Sequence, residues 1–144
     1  MANLSASLPI TRSLATPDPQ IAGVVAGAPN LLLRLEGALV LVGATAAYAQ
    51  LGQGWLLYAL LFLAPDLAML GYLAGNRIGA RLYNLGHTYL LPAALIGLGL
   101  AAAQPLATAI GVIWVAHIGI DRLLGYGLKY ETAFGHSHLG AARR

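Results

Sequence analysis

Residues Trp55–Leu73 read WLLYALLFLAPDLAMLGYL, an apolar run with one proline, Pro65, and one formal charge, Asp66. As a helix rising 1.5 Å per residue this run would cover about 28 Å, close to the ~30 Å hydrocarbon core of a bilayer. Three further stretches have similar length and apolarity: Leu31–Leu51, Leu85–Ala103 and Leu106–Leu124. Over all 144 residues, 58% are hydrophobic, 9% are charged and the mean hydropathy is +0.71. Soluble domains carry about 25% charged residues, so this chain has too few to coat a soluble core. The composition excludes an ordinary soluble domain, a disordered chain and a nucleic-acid-binding module. A β-barrel would show short alternating segments instead of long runs. The expected fold is all-α, a four-transmembrane-helix bundle. There is no cysteine, which excludes disulfides, thiolate catalysis and cysteine-ligated zinc or iron–sulfur sites.

Short linkers, Gln50–Gly54 and Ala103–Pro105, imply antiparallel hairpins, and Pro105 suits the first turn of the last helix. Residues 1–30 hold Pro9, Pro17, Pro19 and Pro29 and are read as a flexible tail. No basic segment precedes an apolar run there, so a signal peptide is not expected. Residues 31–124 form the bundle, and 125–144 are read as a tail lying on the membrane surface. The eight Lys and Arg residues all fall on one side of a four-span path, none in either hairpin turn. The positive-inside rule then puts both termini in the cytoplasm and the chain in the inner membrane, with the lipid bilayer as its surroundings and no nucleic-acid partner. Ala64, Ala68, Gly71, Gly75 and Gly79 read as at or near a four-residue spacing, which lets helices approach closely. Trp55 and Tyr58 read as anchors at the outer interface, and Tyr72, Tyr83, Tyr126 and Tyr130 at the inner one.

The informative residues are those a bilayer should exclude. Asp66 lies about eleven residues into its span, ~16 Å deep at helical rise. His117 lies at similar depth in the last span, and Asp121 follows one turn later on the same face. His87 opens the third span, with Tyr83 and Asn84 just before it. Glu36 begins the first span beside Arg34, while Asn76, Arg77 and Arg122 flank the others. An ionised carboxylate in hydrocarbon costs several kcal/mol unless paired, protonated or hydrated. Glu36, Asp66, His87, His117 and Asp121 are therefore expected to face inward as one polar cluster open to the cytoplasm. Three readings compete: a structural network that sets helix register, a catalytic or metal site, and a proton or solute path in an oligomer. Asp66, His87, His117 and Asp121 are suitable ligand types for a divalent metal ion. Pro65 kinks the helix beside Asp66, where an ion or ligand can approach or a protonated carboxyl can simply be tolerated. His136-x-His138 is a weaker metal signal.

Several strings resemble the signature blocks of one family. They are Leu33-Arg34-Leu35-Glu36-Gly37, Pro65–Leu73, Tyr83-Asn84-Leu85-Gly86-His87, His117–Arg122, Gly125–Tyr130 and His138-Leu139-Gly140. Together they resemble the DUF4260 family over about Leu31–Gly140. The resemblance implies one domain, resident in a bacterial membrane, and transfers no reaction. It marks Glu36, Asp66, Asn84, His87, His117, Asp121 and Arg122 as motif positions. The leading expectation is a buried polar site, metal-dependent or acid/base, acting on a small or lipidic substrate. Glu36, Asp66, His117 and Asp121 would be its catalytic groups. Asn76, Arg77, Asn84 and Arg122 would bind substrate, with Asp66, His87, His117 and Asp121 as metal ligands. The alternatives are a non-catalytic accessory subunit of a larger membrane complex, and a homo-oligomeric channel or proton-coupled carrier.

Overall fold

The computed structural model describes residues 23–141; most of the expected N-terminal tail and the last three residues lie outside the described residues. Helix α1 spans Gly27–Gln50 and α2 spans Trp55–Leu61. A 3₁₀ helix follows at Ala64–Ala74, then α3 at Asn76–Gly86, α4 at Leu90–Ala101 and α5 at Pro105–Leu124. Two short antiparallel strands, β1 (His136–Ser137) and β2 (Gly140–Ala141), close the C-terminal segment. Among the described residues three helical segments are long and apolar enough to cross a membrane: Gly27–Gln50, Trp55–Ala74 and Pro105–Leu124. Large apolar side chains point outward from the first two, with Leu39, Leu56 and Leu73 74%, 72% and 88% exposed. Exposure on that scale is a liability in water and a requirement in lipid.

The second segment changes its winding. Pro65 has no N–H to donate and its ring crowds the carbonyl one turn back. The α-helix stops at Leu61, and eleven residues continue as 3₁₀ helix, far beyond the usual three or four. At three residues per turn the run Asp66–Ala74 sorts into three stripes. Leu67, Leu70 and Leu73 are exposed. Gly71 packs against Leu82 and Gly79 of α3, and Gly86 of α3 lies against Ala68. Asp66, Met69 and Tyr72 form the third stripe and turn inward: Asp66 and Met69 line one cavity, and the Tyr72 hydroxyl is buried. The small residues thus repeat every three positions here, not every four as the sequence reading had it. The looser rise of ~2 Å per residue lets these eleven residues cover about 22 Å, and α2 adds about 10 Å.

The expected third span, Leu85–Ala103, is divided. α3 begins nine residues earlier, at Asn76, and ends at Gly86; three residues intervene before α4. Arg77 and Arg81 lie on its outer face, both paired with Glu131, at 3.3 and 2.8 Å. Gly79, Ala80 and Tyr83 are buried on its inner face. α4 starts at Leu90 because Pro92 is accommodated only in a first turn, where no N–H is required. Its twelve residues rise about 18 Å, short of a full hydrocarbon core.

α5 is the central element, with α1 on one side and α4 on another. A Cβ on Gly119 would lie 2.7 Å from the Leu41 nitrogen and 3.0 Å from the Gly37 carbonyl oxygen, so the α1 and α5 backbones meet there. Tyr48, Ala44, Ala109, Val112, Ile113 and Ala116 fill the half of the bundle near the two tight hairpin turns. At the other end Gly125, with φ +92°, ends α5 in the left-handed region and turns the chain back. The returning segment is fastened to the start of α1: the Val25 N–H donates to His138 O (2.8 Å) and Asn30 Nδ2 donates to Leu139 O (2.8 Å). Overpacking a close contact costs about 1–3 kcal/mol. Gly119→Leu should therefore lower the thermal midpoint in detergent by several degrees. Gly43→Leu, on a face of α1 with nothing within 4 Å, should leave it unchanged.

Candidate metal centre

Four ligand-type side chains meet where the helices break. Asp66 comes from the first turn of the 3₁₀ helix, and His87 from the non-helical residue that caps α3. His117 and Asp121 come from one face of α5. One ligand atom from each of the four lies within 4.8 Å of the others. His87 Nε2 is 3.1 Å from His117 Nε2, 3.4 Å from Asp66 Oδ1 and 3.3 Å from Asp121 Oδ2. His117 Nε2 is 3.5 Å from Asp66 Oδ1 and 3.8 Å from Asp121 Oδ2. His87 and His117 are almost fully buried, at 1% and 2% side-chain exposure, and Asp121 is at 12%. Asp66, at 31%, is the member that faces open space.

The surroundings orient the set. His87 Nδ1 is 2.8 Å from the Tyr83 carbonyl oxygen. A carbonyl only accepts, so Nδ1 carries the proton, and Nε2 of the neutral ring keeps its lone pair facing the cluster. The Tyr83 hydroxyl donates to Asp121 Oδ2 at 2.9 Å, and its ring stacks on His87 at 3.7 Å between centroids. Phe62 meets the His117 ring edge-on at 5.6 Å. Trp114 Nε1 donates to the Gly86 carbonyl (2.5 Å), and Arg122 donates to the His87 carbonyl (3.0 Å). Those two bonds satisfy backbone that the α3–α4 break leaves open. Such partners around the ligands are typical of protein metal sites. His117 Nδ1 is buried with no partner among the described residues.

A cavity of about 280 Å³ opens on the exposed side of the cluster. Asp66, Asp121 and Tyr83 line it on one side; Met69, Tyr126, Lys129 and Phe134 complete the wall. Asn84 holds the Lys129 backbone by two bonds: its Nδ2 donates to Lys129 O (2.9 Å) and its Oδ1 accepts from the Lys129 N–H (2.6 Å). Burial pushes the Lys129 ammonium below its usual pKa range, against the pull of Asp121. Burial and the nearby Arg122 likewise push His138 down. Its Nδ1 accepts from the Leu128 N–H at 2.9 Å.

The other sequence candidates lie elsewhere. Glu36 is exposed on α1 and lines a separate hollow of about 160 Å³ with Tyr89, Arg122 and His138. It is the tenth residue of α1 and takes no part in the His/Asp cluster. Arg77 points outward to Glu131, and Asn76 is exposed at the start of α3. Asn84 clamps backbone, and Arg122 braces the α3–α4 break. His136 and His138 hold the C-terminal turn: His136 Nδ1 pairs with Thr132 Oγ1 at 2.6 Å. Sequence reasoning set Tyr83 beside His87 but read it as an interface anchor, whereas it is buried and bonded to Asp121, and it missed Lys129. Tyr83 is four residues before His87 and so on its face. Lys129 carries no comparable local signal.

No curated protein and no solved structure matches this chain. The sequence profile of one family, described as a domain of unknown function (DUF4260), matches residues 30–142, nearly the whole of the described chain. The four converging residues and the breaks that carry them all fall inside that match, and the chain belongs to the DUF4260 family.

Proposed function

We propose that this chain is an intramembrane metalloprotein in which Asp66, His87, His117 and Asp121 bind one divalent ion of zinc type. The observation that carries the reading is the spacing of the ligand atoms. Zinc–nitrogen and zinc–oxygen bonds of about 2.0–2.1 Å imply tetrahedral edges of about 3.3–3.4 Å, and five of the six edges here measure 3.1–3.8 Å. The donor chemistry supports it. Two carboxylates and a histidine lone pair converge with few protons to share, an arrangement that a cation relieves. Two imidazoles with carboxylates suit zinc better than calcium or magnesium.

His87, His117 and Asp121 are the buried ligands, and Asp66 marks the side from which the ion is reached. With His87, His117 and Asp121 holding the ion and Asp66 yielding its place to a water, the ion would lower that water's pKa and polarise a carbonyl or phosphoryl oxygen. Asp66, at the cavity edge, is placed to take up a proton there. The reaction class is therefore metal-assisted hydrolysis of a small or lipidic substrate. In the matching topology, α3 and α4 are one broken pass of about 34 Å at helical rise, giving four passes with both ends in the cytoplasm. Non-helical backbone at membrane depth is tolerated where protein buries it, as at the two breaks here.

Purified protein in detergent should take up one zinc per chain, measured by elemental analysis and calorimetry. His117→Ala and Asp121→Ala should lose it, with affinity falling at least about 100-fold. Folded protein that takes up no ion at all would leave the cluster as a hydrogen-bonded network and end the metal reading. Because each ligand must shed its proton to bind, zinc affinity should also fall steadily on acidification.

Asp66→Asn should separate binding from chemistry. It should keep the ion with a moderate loss of affinity, while hydrolysis of p-nitrophenyl esters or phosphates by the zinc-loaded protein drops by about 100-fold or more, the scale of a lost general base. Equal rates in the variant and the original chain would remove Asp66 from catalysis.

A further inference from the structure

Lys129 is a cationic side chain in the cavity wall that the metal reading leaves without a task. Its ammonium lies 5.2 Å from the centroid of the Tyr83 ring, 5.8 Å from Tyr126 and 4.9 Å from Phe134. Among the described residues no carboxylate pairs with it, although Glu131 is two residues away and pairs with Arg77 and Arg81 instead. Its place is built and not incidental. Asn84 fixes its backbone from both sides, and an isolated bridge to Ser137 ties the same residue to the C-terminal turn. An aromatic surround stabilises the charge without consuming its hydrogen-bond donors. Among the described residues no hydrogen bond occupies the N–H groups of the ammonium, which leaves them for a ligand.

Charge balance indicates the ligand. Asp66 and Asp121 contribute two negative charges to the cavity, and a divalent ion cancels both. With neutral histidines, Lys129 then leaves the cavity with one net positive charge in surroundings of low dielectric, where an unpaired charge is costly. An anion restores the balance. Two separated cations, a metal ion and an ammonium, suit a group with several oxygens, and lysine is a common point-charge partner of phosphate.

We propose that this cavity binds a phosphate group, with one oxygen on the ion held by the His/Asp cluster and another on the Lys129 ammonium. The inference rests on the metal reading and names its substrate class: a phosphate ester or free phosphate. The two sources share this chemistry and separate by experiment. Metal and phosphate must also strengthen each other's binding by the same factor, since coupling between two ligands is reciprocal.

The test uses the full chain in phosphatidylcholine nanodiscs. Zinc affinity and stoichiometry are measured alone, with inorganic phosphate, and with phosphatidic acid replacing part of the lipid. Cobalt in place of zinc gives a visible spectrum that shifts when an oxyanion joins the ion. Phosphate or phosphatidic acid should tighten zinc binding at least tenfold and shift the cobalt spectrum. Tightening by phosphatidic acid alone assigns the site to a lipid headgroup; tightening by inorganic phosphate assigns it to a soluble group. K129Q should still bind one zinc but lose the tightening, and K129R should retain it. Stoichiometric zinc that neither anion affects overturns the phosphate site while leaving the metal centre standing, as does full tightening in K129Q. Absence of zinc uptake overturns both. Should K129Q fail to fold, the cobalt spectra of the original chain and K129R decide between a shift, as expected, and none.

Discussion

A carboxylate has no stable place in an apolar surround unless something nearby neutralises it, and this chain carries two in helical segments long and apolar enough to cross a membrane. Asp66 and Asp121 lie within segments whose other residues are almost all apolar. The cost of an unpaired charge there exceeds what any single helix contact returns. Both acids must therefore meet partners, and the partners must arrive from different helices. Much of the architecture follows from that demand. α5 brings His117 and Asp121 together, and α3 brings His87 and Tyr83 to them. The 3₁₀ helix brings Asp66 from the opposite side. The Gly37–Gly119 contact draws α1 onto α5 on another flank.

Helix breaks solve the problem of aim. A regular helix presents each side chain at a direction set by its register, and two regular helices rarely converge four ligand atoms on one point. Here two of the four converging side chains sit at interruptions. Pro65 starts the 3₁₀ winding that contains Asp66, and the gap between α3 and α4 contains His87. Each interruption exposes backbone that must be satisfied. Trp114 and Arg122 do this at the α3–α4 gap, one from each side of His117 along α5. The residues that flank the cluster are thus also those that make its irregular backbone tolerable.

The legible part of the site was the part governed by desolvation. Asp66, His87, His117 and Asp121 stand out in the sequence because hydrocarbon penalises them, and they are the four that meet. Glu36 stood out for the same reason, yet it is exposed on α1 and stays out of the cluster. The hydropathy of Leu85–Ala103 suggested one span because averaging over a window ignores where Pro92 falls. The repeat Asp-Leu-Ala, Met-Leu-Gly, Tyr-Leu-Ala over residues 66–74 spells out three residues per turn. It was read with a period of four because α-helix is the usual expectation in a membrane. Lys129 was hidden for a different reason: its position depends on Asn84, 45 residues away, and no local pattern encodes that pairing.

The triplet winding of the 3₁₀ segment changes what counts as a small sequence change. Removing one residue between Asp66 and Ala74 would turn everything beyond it by a third of a circle. The leucine stripe would swing toward the cavity, the small-residue stripe outward, and the polar stripe against α3. Removing three would shorten the segment by about 6 Å and keep every stripe on its side. Length variation in this stretch is therefore quantised: it can proceed in whole turns of three residues, and single-residue steps are closed to it.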